Sequence, residues 1–251
     1  MKIKSLLLTV LFAILLTGCG TEYQLAKAFQ EQSQRTMVAV YFPEAAQVTL
    51  IQDSDGSYTD VLDSVNQDAF LDIMYAAYAE ELGRYGLEVY LPSDPDAVQV
   101  DSVHWLVVLS KVEIQGLFTT YVDHLYDLVN EYDYPFSLNT VNVASWFDIN
   151  DGDWKPTLYY EHNLRDGFES HVSGNQYHYE ITPLKKEDVY NYAVFLGRRC
   201  AAYTYDDLLN RYVAAELKKS GKQPRFQIHW DPASKSYVFL EENEGFVELK
   251  E

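Results

Sequence analysis

Histidines and carboxylates crowd one stretch of the chain, as Glu161-His162, Glu169-x-His171 and His178-x-Glu180. Imidazole and carboxylate suit zinc or iron when three or four of them converge, which would make a metal-dependent hydrolase. No His-Glu-x-x-His helix occurs, and Gly167 and Gly174 mark a flexible loop, so His162, His171 and His178 read as exposed polar residues before they read as ligands. Ser170 and Ser173 lie among them without the Gly-x-Ser-x-Gly elbow of a serine hydrolase. A second group is aromatic: Trp146, Trp154, Tyr159 and Tyr160 could stack sugar rings, although rings at strand spacing more often fill a core. The two thiols are Cys19 and Cys200. Cys200 falls mid-helix among Leu196, Ala201 and Tyr203, where it reads as a buried small hydrophobe.

Two aspartate-rich turns resemble calcium loops only superficially. Asp53-Ser54-Asp55-Gly56-Ser57 and Asp148-x-Asn150-Asp151-Gly152-Asp153 both lack the closing glutamate, so the first reads as a turn and the second as a hairpin. His104 sits in an apolar run and reads as a core or strand-end histidine. No cofactor motif occurs, no cofactor is expected, and the chain reads as a non-enzyme.

Composition narrows the partners. The 251 residues carry a formal charge of −19, and such a body repels nucleic acid. With 47% hydrophobic and 15% aromatic residues, the chain can bury a real core and is no disordered stalk. Cysteine supplies no internal bridge if Cys19 is modified, because Cys200 then has no partner.

The elements that must position these groups can be read from period. Met37 to Phe42 is a short apolar run stopped by Pro43, and Val48 to Ile51 can follow as a second strand. Ser64-x-x-Gln67 fits a capping box before Phe70, Met74, Tyr78 and Leu82, which repeat at i+4 and predict a helix over about 65–85, closed by Gly83 and Gly86. Leu87 to Leu91 is the next strand. Val103 to Leu109 is nearly continuous apolar sequence; from 110 to 116 Val112 and Ile114 face in while Lys111, Glu113 and Gln115 face water. Residues 117–137 mix tyrosines with carboxylates and suit a lip, a partner surface or a solvated excursion. Strands are expected at 138–149 and 155–164, a helix over 183–219 starting at Thr182-Pro183 with a break near 203–207, and a closing hairpin over 226–241. The fold class is therefore α/β (α+β), a mixed, largely antiparallel sheet of about six to eight strands with two main helices.

The first twenty residues give an address. Lys2 and Lys4 precede an apolar run, Leu6 to Leu16, that is too short to span a bilayer, and Leu16-Thr17-Gly18-Cys19 closes it. That ending resembles the lipobox of bacterial lipoproteins, and the resemblance implies cleavage before Cys19, diacylation of its thiol and acylation of the new amino terminus. Residues 1–18 are then a signal peptide, 19–35 a lipidated polar tether in which a short helix is possible, and 36–251 one α/β domain. Gly20 after the cysteine, rather than Asp, is similar to lipoproteins passed to the outer membrane, facing the periplasm.

Within that domain, residues 37–116, with the helix end Glu80-Glu81-Leu82-Gly83-Arg84-Tyr85-Gly86 and the strands on either side, resemble the small α/β domain of the TolB amino terminus and the CsgG lipoprotein. The resemblance implies a docking module without catalytic residues. The expected function is thus a lipid-anchored accessory or docking subunit of an envelope assembly, with envelope proteins as partners and a homo-oligomer as an option. The alternative is a glycan-binding lipoprotein, and the third choice is the metal-dependent hydrolase.

Overall fold

The computed structural model describes residues 20–51, 61–93, 98, 105–126, 131–150, 157–173, 176–240 and 246–249. The signal segment with Cys19, His104, Trp154, the turn at 53–57 and the turn at 151–153 lie outside the described residues.

The first element is the short helix that the polar segment after Cys19 allowed. The stretch read as a polar tether is, over 20–33, a helix, α1. Its Ala26 and Phe29 are buried, and Phe29 packs its ring against Trp105, Tyr205 and Tyr212. Gln24 and Gln32 are exposed, whereas Gln30 is half-buried and accepts from the Tyr237 hydroxyl at 3.0 Å; the few apolar residues among them were too sparse to announce a stripe.

Strand β1 (Met37–Tyr41) lies between β3 (Glu88–Tyr90) and β4 (Trp105–Tyr126), parallel to both. Strand β2 (Gln47–Ile51) pairs further along β4, also parallel. Between β2 and β3 come a 3-10 turn, Val61–Ser64, and helix α2 (Gln67–Arg84). The cap of α2 is Asn66, whose Oδ1 accepts from the Ala69 N–H at 2.9 Å, and not Ser64, whose hydroxyl donates to the Val61 carbonyl. Gly86, at φ 87°, ends the turn that follows α2, a conformation a side chain would resist.

Strands β4, β5 (Glu131–Asn150) and β6 (Thr157–Arg165) form an antiparallel run, with β11 (Phe246–Leu249) added on the outer edge of β6. The whole is a seven-stranded sheet in the order β11-β6-β5-β4-β1-β3, with β2 against β4. Residues 117–126 and 131–137 are therefore strand and not a lip. They extend the β4–β5 ribbon past β6, and their mixed aromatic and acidic sequence hid the two-residue period. The stretch beginning at Gly167, where Gly167 and Gly174 were expected to mark a flexible loop, is strand: β7 (Gly167–Ser173) pairs with β8 (Gln176–Thr182), and Phe168 and Tyr179 stack on Phe136 of the ribbon.

Helix α3 (Lys186–Lys219) runs unbroken for 34 residues, where a break was expected at 203–207. It begins later than Thr182-Pro183 because Thr182 stays in the β8 ladder and the Leu184 N–H is taken by Asp166 Oδ1 at 2.7 Å. Asp188 Oδ2 accepts from the Lys185 N–H at 2.8 Å and fixes the start. Hairpin β9 (Gln227–Asp231) and β10 (Ser236–Leu240) closes the helical side.

One apolar cluster runs from Ala26 to Trp230 between the helices and one face of the sheet. Helices α2 and α3 meet at Gly197, where a Cβ would fall 3.0 Å from both Ala77 Cβ and the Tyr78 nitrogen, and closer still to the Met74 carbonyl. Tyr78 is buried there and donates to Thr204 Oγ1 at 2.8 Å, which donates in turn to the Cys200 carbonyl. Cys200 is buried as expected, and burial pushes its thiol well above the ordinary range.

Candidate ligand-binding face

The three helices cover one face of the sheet, and the other face presents the residues that could bind something. A bulge decides which ones. Leu109 pairs with Phe147 and Lys111 with Trp146, so Ser110 is an extra residue on β4. Val107 and Leu109 before it, and Val112 and Ile114 after it, all reach the same core, although their numbers change parity. Lys111, Glu113 and Gln115 are thereby sent to the open face, as the alternation had suggested.

Register then builds three rows across the strands. Lys111, Trp146 and Tyr159 make the first; Gln47, Glu113, Ala144 and Glu161 the second; Thr49, Gln115, Asn142 and Asn163 the third. Successive rows are about 6.7 Å apart, twice the rise of a strand residue. Trp146 and Tyr159 are half-buried, with ring centroids 5.0 Å apart, and Lys111 Nζ lies 4.6 Å from the Trp146 ring centroid. Of the expected aromatic group, these two share the open face. Tyr160, one residue on, points to the opposite side, where it is buried against Tyr203.

Both carboxylates of the second row are held by two donors. Lys111 Nζ donates to Glu113 Oε2 at 2.8 Å and Gln115 Nε2 to Oε1 at 2.9 Å, which keeps the Glu113 carboxyl below its ordinary range. Asn142 Nδ2 donates to Glu161 Oε1 at 2.5 Å, and the Tyr159 hydroxyl donates to Oε2. Burial first, and then the Glu161 bond, push the Tyr159 hydroxyl up to about 12. The face is an array of acceptors, amides and ring surface.

The histidines do not form a triad. His162 is on the α3 side of β6, its Nδ1 2.8 Å from the Tyr192 hydroxyl and its ring beside Phe195. His171 and His178 face each other across β7 and β8, ring centroids 5.3 Å apart, with Glu169 and Glu180 as the next pair on the same face of the hairpin. Among the described residues no three metal-ligating side chains converge.

A pair that sequence reading did not single out is Asp206 and His229. Asp206 is on the buried side of α3, its Oδ2 2.5 Å from His229 Nδ1 and its Oδ1 accepting from the Trp230 N–H at 3.1 Å. Burial pushes the Asp206 carboxyl up against those bonds, while the bond to Asp206 raises His229, so the pair holds its proton more tightly than either group free in water. The available signal was an aspartate inside the apolar stripe of α3, which demands a partner. His229 lines a groove of about 820 Å³ with Arg84, Arg198 and Arg199. All three arginines are already engaged: Arg84 by Glu80 and Glu81, Arg198 by Glu80, and Arg199 over the Tyr203 ring at 5.1 Å.

No protein-family model matches the chain, and no curated protein matches it. Among solved structures it is similar to a neuraminyllactose-binding hemagglutinin homolog from Helicobacter pylori, at 9% identity and a TM-score of 0.41, over 73% of this chain and 94% of that one, a likeness too slight to carry an argument.

Proposed function

We propose that this protein is a non-enzymatic, lipid-anchored component of the bacterial envelope, held through Cys19 at the outer membrane facing the periplasm, and that its open sheet face binds a glycan. One observation carries the glycan reading: Trp146 and Tyr159 are paired on a solvent face among Lys111, Gln115, Asn142, Glu161 and Asn163. The apolar face of a sugar ring stacks on aromatic rings, and its hydroxyls need both donors and acceptors at fixed positions. The rows are shallow and repeat along the strands, which suits an extended saccharide chain better than a single sugar enclosed on all sides. A glycan array probed with wild-type protein and with Trp146→Ala tests this. Saccharide binding that the variant loses supports the reading, and wild-type protein that binds no saccharide overturns it.

A docking role is a second reading, motivated by the 22- and 20-residue strands of the β4–β5 ribbon and by the TolB/CsgG resemblance of residues 37–116. The ribbon runs past β6 and exposes Val122. Envelope proteins, or a second copy of the chain, are the partners this reading calls for. Crosslinking through the ribbon in cells recovers an envelope protein if it holds and none if it does not.

A further inference from the structure

We propose that the end of α3 and the loop after it, residues 218–225, contact anionic lipid headgroups and so set which side of the protein meets the bilayer; this rests on the reading that Cys19 carries the lipid. The chain has 38 acidic against 19 basic residues, yet no carboxylate occurs between Glu216 and Asp231. Within that gap Lys218, Lys219, Lys222 and Arg225 fall in eight consecutive exposed residues.

The turn that holds these cations is well defined. The Ser220 and Lys222 N–H groups donate to the Leu217 carbonyl and the Gly221 N–H to that of Lys218, with Gly221 at φ 67°. Glu216 pairs with Lys219 at 2.5 Å, and the negative end of α3 offsets about half a charge more. With the Glu22 carboxylate beside the Arg225 N–H counted as well, about one and a half positive charges remain on a body that is otherwise strongly anionic.

Position makes the patch meaningful. The Arg225 N–H donates to Glu22 Oε1 at 2.6 Å, and Glu22 is buried. The loop is thereby fixed against the first turn of α1. Cys19 is three residues before Glu22, a reach of at most about 11 Å of chain. Tyr23, 44% exposed and edge-on to Tyr237, adds at the same end the kind of ring that settles at headgroup level. A lipid anchor and a cationic loop at one end act together, the first holding the protein on the surface and the second choosing its orientation, while the acidic remainder is pushed outward.

Thiol labelling tests this, because buried Cys200 gives no background. Full-length lipidated protein carrying Ser220→Cys is reconstituted in phosphatidylcholine vesicles with and without about 30% phosphatidylglycerol and treated with a membrane-impermeant maleimide. Labelling is expected to slow about tenfold in the anionic vesicles, and to recover in high salt or when Lys218, Lys222 and Arg225 are changed to Gln. Val122→Cys on the ribbon is expected to label at one rate in both. Equal labelling of Ser220→Cys in both vesicles, with the protein sedimenting with each, overturns the loop's role and leaves the anchor standing. Protein that sediments with neither overturns the anchor, and the proposal falls with it.

Discussion

Gly197→Ala should destabilise the protein even though it places a better helix former in the middle of a helix. In isolation the change favours α3 by about 1 kcal/mol. The structure opposes that gain: the new methyl would be 3.0 Å from Ala77 Cβ and the Tyr78 nitrogen, and closer to the Met74 carbonyl, all on or beside the backbone of α2. Backbone cannot rotate away as a side-chain tip can, so the two helices must part. Met74, Ala77 and Tyr78, all buried in that interface, lose contact together, and overpacking of this kind costs about 3 kcal/mol. The net loss is about 2 kcal/mol, or about 4–8 °C in Tm for a chain of this size. Thermal unfolding followed by circular dichroism measures it. A variant as stable as the wild type, or more so, would refute the close approach of α2 and α3.

Two further outcomes follow from the core. Phe29→Ala should lower unfolding stability in urea by about 3–5 kcal/mol, because its buried ring touches Trp105, Tyr205 and Tyr212; a mere tether would lose nothing. Stability should also fall as pH rises through the raised titration of His229. Below the unfolded value of about 6.5 the proton is bound in both states and the contribution is full, and it is lost once the folded group deprotonates. Asp231 raises His229 further and Arg199 lowers it, and burial of Asp206 acts in the same upward direction on its own carboxyl. His229→Gln should flatten the profile above neutral pH; a wild-type profile already flat there contradicts the pairing.

Much of the fold was legible because period survives wherever one face is buried and the other wet. The stripe Phe70, Met74, Tyr78 and Leu82 gave α2, and the alternation after Ser110 sent Lys111, Glu113 and Gln115 outward. Where burial is not one-sided, the signal failed. The β4–β5 ribbon past β6 carries Tyr121 and Phe136 on the face covered by β7 and β8, so carboxylates and rings no longer sorted by parity. The fully buried apolar residues of helix α1 are Ala26 and Phe29, with Leu25 packed beside them, too few for a clear stripe among glutamines. Of the candidate aromatics, Trp146 and Tyr159 were brought together and Tyr160 was sent to the core, a distinction that only register could make. Asp206 and His229 are far apart in sequence and neither falls in a motif, so their pairing was out of reach until α3 and β9 were placed side by side.

Isothermal titration of an array-selected saccharide into wild-type protein and into Trp146→Ala, Tyr159→Ala and Tyr160→Phe tests the binding face most directly. Removing either open-face ring should weaken binding by about tenfold or more, as expected for the loss of about 1.5 kcal/mol of ring contact, while Tyr160→Phe leaves it unchanged. Undiminished affinity in Trp146→Ala and Tyr159→Ala, or an equal loss in Tyr160→Phe, would contradict a glycan site on the open face of the sheet.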